Sequence, residues 1–305
     1  MDRPGVVLFA ESMTPIPPSP VHTDQAGNGP TVVLGGTGKT GRRVAAGLRA
    51  RRIPVRIGSR SGTPAFDWHR PGTWTPVLAG AASVYLAYSP DAGFPGADDT
   101  IGALAAQAVR AGVRRMVVLT GRGEPGALRS ERAVQSSGID WTIVRSSFFA
   151  QNFSEDIFVD ALNSGTLAFP AGDVAEPFID VQDIADIAVT ALTEQGHSGQ
   201  IYEVTGPRLI TFAAAVAEIS RAIGCEIRYV PVLPGEYRAG LIDAGAPVEF
   251  AEPFSDLLAD VLDGRNAHLN DGVQRALGRP PREFSDYVAR AAADGVWNST
   301  VAVGR

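Results

Sequence analysis

Residues 31–48 read Thr31-Val32-Val33-Leu34-Gly35-Gly36-Thr37-Gly38-Lys39-Thr40-Gly41-Arg42-Arg43-Val44-Ala45-Ala46-Gly47-Leu48. The apolar run Thr31 to Leu34 predicts a strand, the glycine cluster a tight turn, and the spacing of Val44, Ala45 and Leu48 a helix. Glycine serves such a turn where the backbone takes unusual dihedrals, approaches a pyrophosphate, or lets helix pack on strand; Gly35, Gly38 and Gly41 have that spacing. The helix behind them presents unpaired N–H groups and the positive end of its dipole to phosphate oxygens. A strand before and a helix after is the context that a dinucleotide-binding loop requires, although glycine turns also join strand to helix for structural reasons alone. The loop is not of the nucleoside-triphosphatase kind, because Lys39 precedes Gly41 and the G-x-x-x-x-G-K order is missing.

Downstream, strands are predicted at Val55 to Gly58, Ser83 to Tyr88, Met116 to Leu119 and Trp141 to Val144. Helices are predicted at Thr100 to Ala111, capped by Asp98 and Asp99, and at Leu128 to Ser136. Strands separated by helices imply right-handed crossovers, hence an α/β fold: a doubly wound parallel (Rossmann) sheet with a smaller carboxyl-terminal α/β substrate lobe. Beyond Ser146 the pattern loosens into helices at Ile184 to Leu192, Thr211 to Ile223, Phe254 to Leu262 and Ser285 to Ala293, with strands at Ile201 to Val204 and Ile227 to Val230. This half is expected to add sheet edges and a helical lid over the carboxyl ends of the strands, where ligands bind in open α/β sheets. Three regions follow. Residues 1–30, with Pro15, Pro17, Pro18 and Pro20, form a flexible arm; residues 31–150 form a dinucleotide-binding domain to which part of 173–205 returns; residues 151–305 are mainly the substrate lobe.

Hydrophobic residues make up 45% of the 305 and charged residues 20%, enough apolar material for a buried core and far from the composition of a disordered chain. A net charge of −6 with no basic cluster disfavours nucleic acid or an anionic membrane as partner. Cys225 is the single cysteine, which suits a reducing cytoplasm. The run Gly5 to Ala10 is short for a secretory segment, and no stretch approaches the roughly 18 apolar residues of a membrane span, so the chain reads as cytoplasmic. His22, His69, His197 and His268 stand singly without metal-ligand spacing, so no metal is expected.

At the end of the second strand an NAD site places a carboxylate against the ribose 2′-hydroxyl, whereas an NADP site places arginine there. Here the residues are Arg56-Ile57-Gly58-Ser59-Arg60, with no acid. Arg60, Ser59 and Lys39 would together neutralise a 2′-phosphate, so NADP(H) is preferred and NAD(H) is the alternative. Arginine is abundant in this chain, and a merely solvent-facing Arg60 is the competing reading.

The glycine loop, Phe66-Asp67-Trp68, Val84-Tyr85-Leu86 with Ser89-Pro90, and the stretch from Ser137 to Arg145 together resemble the NmrA-like, NAD(P)-binding branch of the atypical short-chain dehydrogenases. Phe178 to Ala185 and Tyr202-Glu203-Val204-Thr205-Gly206 extend the resemblance, which runs from about Thr31 to Ala293. It implies that Gly35, Thr37, Gly38, Lys39 and Thr40 line the pyrophosphate and that Arg60 meets the adenosine ribose. It further implies that Asp67 and Trp68 flank the adenine, Ala87 and Ser89 border the nicotinamide ribose, and Thr120, Ser146, Ser147 and Phe148 approach the nicotinamide. From the residues alone, Asp67 reads as a solvated loop carboxylate and Trp68 as a core aromatic. Phe149, Asn152, Phe153 and Phe169 are the substrate-pocket candidates, the aromatics reading equally as core or as a wall for a flat ligand. Asp180 and Asp183 invite an acid/base reading, but the family pattern makes Asp180 a helix cap.

Ordinary short-chain dehydrogenases pair Tyr-x-x-x-Lys so that lysine lowers the tyrosine pKa. That pair cannot exist here, because the only lysine lies in the glycine loop. The region Ala127 to Glu131, where related reductases place a basic residue, offers Arg129, a poor proton donor. No catalytic residue is assigned. Three functions remain: an NAD(P)H-dependent reductase of a quinone, activated enone or polycyclic aromatic; a non-catalytic NAD(P) sensor with a protein partner; and a tailoring oxygenase or reductase in aromatic polyketide biosynthesis. The reductase is preferred, because a stabilised hydroquinone anion needs little help from a protein acid.

Overall fold

A computed structural model describes residues 29–297, so the predicted arm, apart from Gly29 and Pro30, and His22 lie outside the described residues. The first half alternates as β1 (Thr31–Leu34), α1 (Lys39–Ala50), β2 (Val55–Gly58), α2 (Trp74–Leu78), β3 (Ser83–Ala87), α3 (Ala97–Arg110), β4 (Arg115–Gly121), α4 (Pro125–Gln135) and β5 (Asp140–Ser146). Next come α5 (Asn152–Glu155), α6 (Val159–Asn163), β6 (Thr166–Phe169), β7 (Ala175–Glu176), α7 (Val181–Thr193), β8 (Gln200–Val204), β9 (Ile210–Thr211) and α8 (Phe212–Ile223). The chain closes with β10 (Arg228–Pro231), α9 (Pro234–Asp243), α10 (Val248–Val261), α11 (Gly272–Leu277) and α12 (Phe284–Ala293).

Six strands form one parallel sheet in the order β2-β1-β3-β4-β5-β8. The chain leaves β1 for one side and returns to β3 on the other, and this reversal opens a crevice at the carboxyl ends of the strands. Successive residues of β1 serve opposite faces, as strand geometry dictates. Val33 packs with Val44 and Leu48 of α1 and Ile184 and Ala188 of α7, while Val32 and Leu34 pack with Ile101 and Leu104 of α3. Both faces are covered, which explains why these strands read as unbroken apolar runs.

The second lobe builds on two small sheets, parallel β6 with β10 and antiparallel β7 with β9. Its core is aromatic: Phe153, Phe158, Phe169, Phe178, Phe212 and Phe284 are all buried. Phe158 and Phe169 meet edge to face at 4.8 Å between centroids, a geometry that adds about 0.5–1.5 kcal/mol beyond area burial. One local expectation is corrected. Gly96, at φ +76, takes the cap position of α3, and Asp98 and Asp99 lie inside the first turn, where they favour the helix dipole without capping. Helix α9 went unread because it buries no residue and carries no apolar stripe. Among the described residues no helix is long and apolar enough to cross a membrane.

Candidate active site

The three glycines of the first turn do different work. Gly35 has φ +76, and a Cβ there would lie 2.8 Å from the Ala87 carbonyl oxygen; a Cβ at Gly41 would collide with the carbonyl of Gly35. Both are demanded by the fold. Gly38 has an ordinary φ of −78, and the one atom near an added Cβ is the Gly35 carbonyl oxygen at 3.3 Å. Its bareness keeps the space before α1 open. Helix α1 has no side-chain cap and no acid in its first turn, so its leading N–H groups face that space.

Lys39, Arg42 and Arg43 crowd the same turn, against the preference of a helix amino terminus for anions. The α5 segment supplies partners: Lys39 Nζ donates to Asn152 Oδ1 and Asp156 Oδ2, each at 2.6 Å, and Arg43 reaches Glu155 at 2.5 Å. Arg42 also pairs with Glu155. Burial pushes the Glu155 carboxyl up, but Arg43 and Arg42 outweigh it and hold its pKa below the ordinary range. A bare glycine, open amides and neighbouring cations together fit a dinucleotide diphosphate.

From this cradle a cavity of about 610 Å³ runs along the carboxyl ends of the strands. Gly35, Thr37, Gly38, Lys39, Thr40, Ala87, Ser89, Thr120, Ser146, Ser147, Phe148, Phe149 and Asn152 all line it. Three hydroxyls of this lining are committed to the protein. Thr120 donates to Glu131 at 2.8 Å, Ser146 to the Thr120 carbonyl at 3.3 Å, and Ser147 to the Pro177 carbonyl at 2.6 Å. Helix α10 contributes Phe254, Leu257 and Leu258 to the lining.

Other candidates lie off the cavity. Arg60 is exposed beyond the end of β2 and makes no ion pair among the described residues; Ser59 is beside it, its carbonyl accepting the Phe66 N–H at 2.8 Å. The Asp67 carboxylate accepts the His69 N–H at 3.0 Å, and its main-chain carbonyl accepts Trp74 Nε1 at 2.9 Å, so it braces a turn. Trp68 is half-buried, 4.8 Å from Phe66 and 4.7 Å from Tyr88 between ring centroids. Phe153 and Phe169, expected at the substrate pocket, are instead fully buried in the lobe core, because the rings of Phe158 and Phe212 enclose them. Asp180 caps α7 through the Gln182 N–H at 2.9 Å, while Asp183 holds Arg279 at 2.7 Å and also Arg282; their carboxylates serve separate partners. Arg129 pairs with Asp98 at 3.3 Å, away from the cavity.

Asp91, Arg122, Glu124 and Glu176 line the cavity and were not singled out from sequence. Glu124 stands at the cap position of α4 but makes no cap bond, and its Oε2 is buried with no partner among the described residues. Burial, then the charge of the adjacent Asp91 carboxylate, push its pKa well above the carboxylate range. Burial raises Asp91 as well, against the lowering effect of the neighbouring Glu124 carboxyl and of the Gly93 N–H at 2.7 Å. Glu176, 2% exposed, also has an unpartnered Oε1, and burial lifts it to about 7 against the pull of Arg122. Arg122 itself bridges to the Asn266 side chain at 3.3 Å and the His268 carbonyl at 3.1 Å. Position was the signal that would have found the acids: Asp91 and Glu124 fall in the loops just past β3 and β4, the rim where open α/β sheets bind ligands.

A scan against protein-family models finds no match. An NAD(P)H azoreductase from Xenophilus azovorans is 31% identical over 290 residues, covering 87% of this chain and 99% of that protein. Among solved structures, an NADPH-dependent quinone oxidoreductase from Escherichia coli, complexed with NADPH, matches with a TM-score of 0.70 at 20% identity over 85% of this chain and 99% of its own. A Citrobacter triphenylmethane reductase complexed with NADP(H) matches at 0.69 and 20% over 86% and 99%, and the regulator NmrA at 0.63 and 15% over 88% and 98%. Fold and relatives together define the class, an NAD(P)H-dependent oxidoreductase of the Rossmann type. The chain belongs to the NmrA-like branch of the atypical short-chain dehydrogenase/reductase superfamily.

Proposed function

We propose that this protein is an NADPH-preferring reductase of flat, conjugated acceptors such as a quinone, an activated enone or a polycyclic aromatic. One observation carries the reading: a single cavity joins the glycine cradle to a wall built from Phe148, Phe149, Phe254, Leu257 and Leu258. The open cradle suits a diphosphate, and the apolar and aromatic side chains of the same cavity suit a planar ring system. The names of the related azoreductase, quinone oxidoreductase and triphenylmethane reductase, all acting on conjugated molecules, support the same class.

A bound reduced nicotinamide supplies the hydride. The chain binds and orients: amides and Lys39 take the diphosphate, Ala87 and Ser89 border the nicotinamide ribose, and Thr120, Ser146, Ser147 and Phe148 position the ring. Holding donor and acceptor face to face is the main rate effect such a site supplies. Arg60, exposed, unpaired among the described residues and with no acid nearby in sequence, supports the preference for a 2′-phosphate.

The test is NADPH consumption with a panel of quinone, enone and azo acceptors, with fast oxidation expected. Binding without oxidation by any acceptor would turn the reading toward a sensor, and oxygen uptake with an aromatic substrate toward a tailoring oxygenase. Arg60→Asp is expected to weaken NADPH binding at least about tenfold and NADH little, since it sets a carboxylate against the 2′-phosphate. Equal losses for both nucleotides in calorimetric titrations would remove the preference.

A further inference from the structure

We infer that Glu124, sharing one proton with Asp91 across the cavity rim, is the group that protonates the acceptor as it is reduced. The inference rests on the reductase reading and supplies the proton donor that neither a tyrosine nor a lysine provides here. Its basis is geometric. Asp91 and Glu124 both border the same cavity as the glycine cradle. A Cβ placed on Gly93 would lie 2.6 Å from Glu124 Oε2 and 3.3 Å from Asp91 Oδ1, so the two oxygens converge beside one bare glycine. Gly121 makes room for the other oxygen, since a Cβ there would collide with Glu124 Oε1. Glu124 is 7% exposed and its Oε2 has no donor facing it. Two carboxylates packed this closely cannot both stay ionised, and one shared proton satisfies the pair.

The two members are not equivalent. Asp91 accepts the Gly93 N–H at 2.7 Å, a bond that favours its charged form and that Glu124 Oε2 lacks, so it is the ionised partner. Glu124 is the buried, protonated one. Glu131 also faces Glu124, but its charge is met by Arg145 at 2.5 Å and by the Thr120 hydroxyl. Arg122, in the same loop, is taken up by Asn266, by the His268 carbonyl and by Glu203 at 3.6 Å, and faces Glu176. Among the described residues no cation is paired with Glu124.

The step balances as follows. A bound reduced nicotinamide would supply a hydride to form one new bond to the acceptor, and the electron pair of the acceptor's π bond would move to its distal oxygen or nitrogen. That atom takes the proton of Glu124, whose O–H bond breaks as the new O–H or N–H forms. Two adjacent carboxylates remain, and Asp91 recovers a proton from water. Asp91 is a positioning residue; Glu124 is the donor. Removing a general acid costs on the order of 10²-fold or more, and less where the product anion is already stable.

The test compares wild type, Glu124→Gln and Asp91→Asn, with NADPH affinity and circular dichroism confirming folded, cofactor-binding protein. Glu124→Gln should lower kcat about 10²-fold with azo acceptors and much less with an easily reduced quinone, and should abolish the alkaline fall in rate. Asp91→Asn should move that fall to lower pH, because Glu124 loses the negative neighbour that resists its ionisation. Independently of turnover, the infrared band of a protonated carboxylic acid should be present in cofactor-free wild type near neutral pH and weakened in Glu124→Gln. An active wild type with Glu124→Gln unchanged in rate and pH profile overturns the assignment. So does equal loss across all acceptors, or an alkaline fall that only Glu176→Gln removes. A wild type that oxidises NADPH with no acceptor overturns the reductase reading itself, a result told apart by the missing parent activity.

Discussion

Glu176 shows what a single buried acid does to a site of this kind. Its carboxyl, raised by burial to about 7, lets the folded chain hold a proton that the unfolded chain releases near 4.5. The native state therefore binds more protons across that window, and stability falls as pH rises through it. Glu176→Gln removes the charge that burial opposes while keeping an acceptor for the Phe148 N–H. At about pH 8 the variant is expected to be more stable by up to about 2 kcal/mol, lost support for Arg122 offsetting part of the gain, and at about pH 4 by almost nothing. Urea denaturation at the two pH values checks this; a gain that does not depend on pH would contradict it. Sequence made Gly38 and Lys39 legible because their chemistry follows from local spacing. Glu124, Glu176 and Asp91 were not, since an acid in a loop reads as solvated until its neighbours are known.

At the scale of elements, α7 shows how one residue ends a loop and starts a helix. Asp180 Oδ1 accepts the Gln182 N–H at 2.9 Å and Gln151 Nε2 at 2.7 Å, and Oδ2 accepts from Arg290 of α12 at 2.6 Å. The aspartate thus ties the sheet-covering helix to the α5 segment and to the last helix. Asp180→Ala is expected to cost about 1–2 kcal/mol for the lost cap, more where the Gln151 amide loses its acceptor, and Asp180→Asn less because it retains an acceptor. Thermal denaturation measures this, and an unchanged kcat in folded Asp180→Asn would set the structural role apart from an acid/base one. The cap was legible because Asp180 precedes an apolar helical run. Gly96 at the start of α3 was not, since a left-handed residue can open a helix without any side-chain signal.

Across the whole molecule, stability and site meet at the phenylalanine cluster. Phe212 lies 5.3 Å from Phe148, 5.0 Å from Phe178 and 4.9 Å from Phe169 between centroids, and Phe148 is also cavity wall. Phe212→Ala is expected to destabilise the protein by about 3–5 kcal/mol in urea melts and to weaken acceptor affinity through Phe148, while NADPH affinity holds because the cradle lies on the first turn. Unaltered KM for the acceptor would separate the core from the site. The same cluster claims Phe153 and Phe169, two aromatics that spacing alone left open between core and pocket.

By itself the amino-acid order determined the parallel sheet, the glycine cradle and the kind of cofactor, because strand, turn and helix are written within a few consecutive residues and each obeys local sterics. Only the tertiary structure decided which acids face one another and which rings line a wall. Those pairings join loops and helices far apart in the chain, such as Asp91 with Glu124 and Phe148 with Phe212, and burial, which changes a carboxyl from solvated charge to proton store, exists only once the chain has folded around it.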